Sequence, residues 1–252
     1  MNRFDNKTVF VTGASRGIGR AIALRLAREG ATLGVNYLRD TAAAENVAGE
    51  IRAMGRRAEL FQADVRDEAS VGAAVAAAER AFGTIDVWVN NAGVEYEEPI
   101  GEISEAHWEE TFAVNVKGLF FCARAAAAHM MTRKSREDPG VIINISSRFG
   151  FLGDPTSLPY GASKAAVNNI TKALAKLYAP VIRVNAVAPA FTETDMMTHV
   201  TPEYIARFHE STPLKRIARP EDTASAVAFL ASADAAFTTG ATLLVDGGNT
   251  LK

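Results

Sequence analysis

Tyr160 and Lys164 stand four residues apart, and two serines, Ser146 and Ser147, precede the tyrosine by fourteen and thirteen residues. Side chains at that first spacing share one face of a helix. Residues 162–177 are Ala-rich and read as a helix, and with Pro159 suited to its first position Tyr160 and Lys164 fall in its first two turns. Residues 141–145, apolar and β-branched, read as a buried strand that ends just before the serines. A phenol and an ammonium on one face, opposite a hydroxyl at a strand end, form a proton-donating arrangement. The ammonium is expected to draw the tyrosine pKa below its reference of about 10. That would bring the phenol toward acid–base work at neutral pH. Tyr-x-x-x-Lys alone is common by chance and then means only a core tyrosine beside a solvated lysine. The rest of the chain reverses that reading.

The elements that must position these groups follow a regular plan. Strands are expected at 8–12, 32–37, 58–63, 85–89, 141–145, 181–187 and 241–245. Helices are expected from Ile18 to Gly30, then at 42–54, 68–82, 105–131, 162–177, 201–208 and 221–231, the long one being open to a break near Gly118. Alternation of this kind predicts one α/β domain, a Rossmann-type doubly wound parallel seven-stranded sheet with helices on both faces. Sites in such sheets lie beyond the carboxyl ends of the strands, and the motifs below fall there.

The bulk numbers restrict the alternatives. With 252 residues, 48% apolar and 22% charged, the chain can bury a sizeable core. A net charge of −2 gives no reason to expect nucleic acid or an anionic membrane. No apolar run approaches the roughly 18 residues of a membrane span, and the first seven residues do not resemble a secretory signal. The single cysteine, Cys122, rules out an internal disulfide and is compatible with a cytoplasmic location. The histidines, His107, His129, His199 and His209, show no metal-ligand spacing, so no metal is expected.

Residues 12–19, Thr-Gly-Ala-Ser-Arg-Gly-Ile-Gly, join the first strand to the first helix. Glycines permit a tight turn and close approach to a pyrophosphate, and a helix N-terminus offers free N–H groups. The second strand ends without the acid that would bind the 2′-hydroxyl of NAD(H); Asn36 and Tyr37 stand there, and Asp40 comes late. Arg16 and Arg39 are placed to meet a 2′-phosphate. NADP(H) is therefore favoured, with NAD(H) still open.

Together these motifs resemble the short-chain dehydrogenase/reductase family over almost the whole chain. Thr12 to Gly19 matches its glycine loop, Asp64-Val65 its adenine contact, Asn90-Asn91-Ala92-Gly93 its motif after the fourth strand, and Tyr160 and Lys164 its Tyr-x-x-x-Lys. Asn115 matches the family asparagine of the following helix, and Ser147 the family serine, with Ser146 as runner-up. The resemblance implies a catalytic set of Asn115, Ser147, Tyr160 and Lys164. Ser147 would hold the substrate oxygen, Tyr160 would pass the proton, Lys164 would tune Tyr160 and bind ribose, and Asn115 would hold a relay water. Implied cofactor contacts are Gly13, Ser15, Arg16, Gly17, Ile18, Gly19, Tyr37, Arg39, Asp64, Val65, Asn91, Ala92, Gly93, Tyr160, Lys164, Pro189, Thr192 and Thr194. Ala190 replaces the family's usual glycine. Residues 7–100 would mainly bind the dinucleotide, and 101–252 would carry catalysis, oligomer contacts and a substrate lid near 195–216.

Within the family, Arg183 to Pro189, Glu193-Thr194-Asp195-Met196 and Val245 to Gly248 resemble 3-oxoacyl-[acyl-carrier-protein] reductases most. The implied substrate is a ketone or acyl thioester, with an acyl carrier protein as a partner and a homotetramer as the assembly. Arg133, Lys134, Arg136, Lys172 and Lys176 are candidates for a basic docking surface. Sugar, steroid and small-ketone dehydrogenases share these segments and stay open. Two residues depart from the pattern: Glu95, in an acidic stretch, and Arg148, directly after Ser147. They either tune specificity or pair with each other.

Overall fold

The computed structural model describes residues 2–194 and 201–251. Its strands are β1 (Thr8–Val11), β2 (Thr32–Tyr37), β3 (Ala58–Gln62), β4 (Val87–Asn90), β5 (Gly140–Ile145), β6 (Ile182–Pro189) and β7 (Thr242–Val245). They form one parallel sheet in the order β3-β2-β1-β4-β5-β6-β7. The order reverses between β1 and β4, and this reversal opens the crevice in which such sheets bind ligands.

Along β1 the side chains alternate between faces. Val9 and Val11 join a core with α1 (Gly17–Arg28), α2 (Thr41–Ala53) and α8 (Pro220–Ala231). Phe10 and, from β4, Trp88 join the opposite core with α3 (Glu68–Phe82), α5 (Leu119–Arg133) and α6 (Leu158–Tyr178). Both faces of the central strands are therefore buried, which explains their nearly continuous apolar runs. Polar side chains inside this layer are linked to one another. Trp88 Nε1 donates to Asn90, Asn90 to Asn144, and Asn144 to Thr171 on α6, at 2.7, 2.9 and 2.9 Å.

The expected long helix is three pieces: α4 (Glu105–Phe112), a π-helical turn (Ala113–Gly118) and α5. The interruption ends at Gly118 and is a widened turn, not a stop. It places Asn115 inward, 1% exposed. Helix α6 begins at Leu158, four residues earlier than its Ala-rich core suggests, because Pro159 in the first turn continues the helix from Ser157. Of the expected lid, residues 195–200 lie outside the described residues, and with them Asp195, Met196 and His199. The remainder contains α7 (Pro202–Ser211). Among the described residues no helix is long and apolar enough to cross a membrane.

Candidate active site

The glycine loop is held by side chains from its neighbours. Asn91 Nδ2 donates to the carbonyls of Thr12 and Gly13 at 2.9 and 3.0 Å, and Thr12 Oγ1 accepts from the Asn91 and Ala92 N–H groups. Asn36 Oδ1 accepts from Gly13 N at 3.1 Å, while its Nδ2 donates to the carbonyls of Phe61 and Ala63. Asn36 thus ties the ends of β1, β2 and β3 together. Its type could have signalled this: a buried amide at a strand end satisfies donors and acceptors at once. Gly13 has φ of +60°, a region that favours glycine. A Cβ on Gly19 would stand 2.3 Å from the Gly13 carbonyl oxygen. Arg16 precedes α1 without a side-chain cap, whereas Asp40, Asp67 and Ser104 cap α2, α3 and α4. The first N–H groups of α1 are left for an anion.

These parts border a cleft of about 630 Å³. Gly13, Ser15, Arg16, Gly17, Ile18, Gly19, Tyr37, Arg39, Asp64, Val65, Asn91, Ala92, Gly93, Tyr160, Lys164 and Thr194 all line it. Arg66, Tyr96 and Glu110 line it too, which the motifs did not indicate. Arg66 grips the Asp64 carboxylate through Nε and Nη2 and holds it below the usual carboxylate range. Asp40 spends its carboxylate on the Ala43 N–H. Pro189 and Thr192, expected at the cleft, do not line it. Pro189 closes β6, and Thr192 bridges to Ala218 while its hydroxyl donates to the Ala190 carbonyl. The chain after β6 is thereby pinned sideways before it reaches Thr194.

Of the chemistry-bearing residues, Tyr160 and Lys164 line this cleft, and Ser147 and Asn115 do not. Lys164 is buried and donates from Nζ to the Ile145 carbonyl at 2.9 Å, with Nζ 5.3 Å from the Tyr160 ring centroid. Burial lowers its pKa to about 8, although Glu95 pulls the other way. The phenol of Tyr160 is pushed up, not down as expected. Burial raises it and the Glu95 charge adds to this, while the Ser147 hydroxyl and Arg148 offset only part. A phenolate packed among protein atoms loses more solvation than a cation bound elsewhere returns. At neutral pH Tyr160 is therefore a protonated donor.

The two serines separate cleanly. Ser146 donates to the Lys164 carbonyl and to Asn168 Oδ1 at 3.2 and 2.6 Å, so its hydroxyl belongs to α6. Ser147 instead faces Tyr160 and accepts from Phe149 N at 3.2 Å. The Asn115 side chain has both amide hydrogens engaged: it exchanges two hydrogen bonds of 2.9 Å with the Val94 backbone and donates to Ser163 at 3.1 Å. It fixes the segment after β4. Arg148 and Glu95 do not pair. Arg148 donates to Asn249 and lies over the rings of Phe149 and Phe208, while Glu95 accepts from Ser157.

Comparison with known proteins bears on this geometry. Residues 13–250 match the family model described as enoyl-(acyl carrier protein) reductase. The chain belongs to the short-chain dehydrogenase/reductase family. It is 41% identical over 243 residues to a 3-oxoacyl-[acyl-carrier-protein] reductase of Staphylococcus aureus, covering 96% of this chain and 97% of that one. It is 42% identical to 3beta-hydroxysteroid dehydrogenase 1 of Eggerthella lenta, covering 97% and 94%. It is 40% identical to cis-4-hydroxycyclohexanecarboxylate dehydrogenase of Sinomonas cyclohexanicum, covering 98% of each. A dehydrogenase/reductase from Sinorhizobium meliloti has the same fold, with a TM-score of 0.91 and 38% identity over 98% of this chain and 96% of that one. This short-chain dehydrogenase/reductase is accordingly an oxidoreductase acting between alcohol and ketone.

Proposed function

We propose that the protein transfers hydride between NADP(H) and a ketone or secondary alcohol, with Ser147, Tyr160 and Lys164 as its catalytic residues. The observation that carries this is the convergence of Tyr160 and Lys164 on the inner end of a cleft whose outer end is an uncapped helix start and a glycine loop. The residues fit a dinucleotide: the free N–H groups of α1 would hold its phosphate and the Asp64 end its adenine, and the nicotinamide would supply the hydride. Tyr160 passes a proton to the substrate oxygen, Ser147 holds that oxygen, and Lys164 binds ribose. Asn115 acts by positioning the strand-end segment. Residues 7–100 would mainly hold the cofactor and 101–252 the substrate.

Arg16 and Arg39 in the cleft, with Asp40 diverted into a cap, support NADP(H) over NAD(H). Arg39→Ala is expected to raise the KM for NADPH about tenfold and leave that for NADH unchanged. Equal use of both cofactors by the wild type would refute the preference.

For the substrate, the relatives support a 3-oxoacyl thioester, and purified protein with NADPH should then reduce acetoacetyl-CoA. Glu95 and Arg148 support the other class, a polar or cyclic alcohol. As a docking surface for an acyl carrier protein, the proposed basic patch is reduced. Lys134 is buried against Asp86 and Asp138, and Arg133 is paired with Glu79, which leaves Arg136, Lys172 and Lys176 exposed. Trp108 and Phe120 on the α4–α5 side and Leu243 and Leu244 on β7 are exposed, which supports a homotetramer. A cytoplasmic setting is in keeping with the lone buried Cys122.

A further inference from the structure

We infer that the natural substrate is a hydroxy or oxo acid whose carboxylate is held by Arg148 and whose neighbouring hydroxyl donates to Glu95, the reacting carbon lying between them at Tyr160. The inference rests on the hydride-transfer reading but not on the thioester one.

Arg148 and Glu95 come from different loops, after β5 and after β4, and neither lines the dinucleotide cleft. Yet both stand beside Tyr160: Arg148 lies over Phe149, whose ring meets Tyr160 edge-on, and Glu95 accepts from Ser157, three residues before Tyr160. They therefore belong to the substrate side of the phenol, one cationic and one acidic.

Arg148 is half-buried. Its guanidinium lies 4.5 Å from the Phe149 ring centroid and 5.2 Å from that of Phe208, and Nη1 donates to Asn249 Oδ1. Phe149 in turn meets Tyr160 edge-on at 6.4 Å. Aromatic faces fix the plane of a guanidinium without neutralising it, and a fixed planar fork matches a carboxylate. Among the described residues no carboxylate lies within ion-pair distance of Arg148. A residue held this way is costly to bury beside an acyl chain and favourable beside an anion.

Glu95 spends one oxygen, Oε1, on the Ser157 hydroxyl at 3.1 Å. Ser157 directly precedes α6, so the contact fixes Glu95 relative to the helix that carries Tyr160. Oε2 has no hydrogen bond among the described residues and offers an acceptor for a substrate hydroxyl. A long acyl chain would leave both groups unpaired, whereas a small hydroxy acid pairs each.

The test is oxidation with NADP+ of gluconate and of cis-4-hydroxycyclohexanecarboxylate, each against its own methyl ester, with acetoacetyl-CoA reduction measured alongside. The acids should exceed their esters in kcat/KM by about tenfold or more. Arg148→Leu should cost the acids about 10- to 100-fold, mainly in KM, and change the esters less than about threefold. Arg148→Lys should fall between. Glu95→Gln should raise KM for gluconate and spare the ring acid, which has no second hydroxyl. Cooperative unfolding and wild-type NADPH affinity in each variant should show that the fold and cofactor site are intact. Esters turned over as well as acids, equal losses on both in Arg148→Leu, or turnover confined to the thioester would each overturn the inference while leaving hydride transfer standing. Failure of every acid, ester and thioester to exchange hydride would overturn both.

Discussion

Helices α1 and α6 both start beside the cleft without a side-chain cap, and they use that freedom in different ways. At α1 the turn is built on glycines, and free backbone N–H groups face the cleft beside the Arg16 side chain. At α6 the cap residue Ser157 gives its hydroxyl to Glu95, and what faces the cleft is side chain: Tyr160 and Lys164. The first start is a shape that recognises a charge every dinucleotide carries. The second is a set of buried ionisable groups whose proton affinities are set by their surroundings. Binding is therefore expected to fail at α1 through sterics, and chemistry to fail at α6 through single atoms.

The sharpest test of that division is Tyr160→Phe. Loss of one oxygen should lower kcat by about a thousandfold or more, within the range for general acid–base groups, while NADPH titration shows nearly unchanged affinity. A second cut separates the serines. Ser147→Ala should lower kcat by about a hundredfold. Ser146→Ala should cost only about 1–2 kcal/mol of stability in denaturant titration, because its hydroxyl serves α6. At the other start, Gly19→Ala should weaken NADPH binding and lower stability by about 2–3 kcal/mol, since its methyl would press on the Gly13 carbonyl and the Asn91 amide. Wild-type affinity in that variant would remove the steric account.

The smallest expected effect concerns protons. Burial raises the Glu95 carboxyl from 4.5 to about 7. Between those values the folded chain holds more proton than the unfolded one, so stability falls as pH rises through this window and levels off above it. Relative to Glu95→Gln, the wild type should lose about 1–3 kcal/mol between pH 4.5 and 7. A flat difference across that range would show Glu95 to be solvated.

Much of this was legible beforehand. The order of strands and helices follows from the alternation of apolar runs, and sixteen of the expected cofactor contacts border one cleft because strand ends converge there. What escaped the sequence depends on where side chains turn. Asn36 was read as the absence of an acid, but its amide is the tie among three strands. Tyr160 was expected to ionise more readily, because spacing shows a cation nearby but not the solvent lost around the phenol. Charge alone leaves a Glu95–Arg148 pair open beside a role in specificity, and the pair does not form because rings and a hydroxyl hold each of them apart. Lys134 was counted as surface because it follows the end of a helix, yet two aspartates draw it inward.

The widened turn before α5 works as a phase shifter. One residue more than a regular turn advances everything upstream by roughly a hundred degrees about the helix axis. Because of that offset, α4 and α5 can each present their own face to what lies beneath, and Asn115 can look toward Val94. Removing a single residue from this turn would straighten the rod and swing Asn115 out of alignment. A deletion too small to disturb the core would then loosen the strand-end segment that walls the catalytic corner.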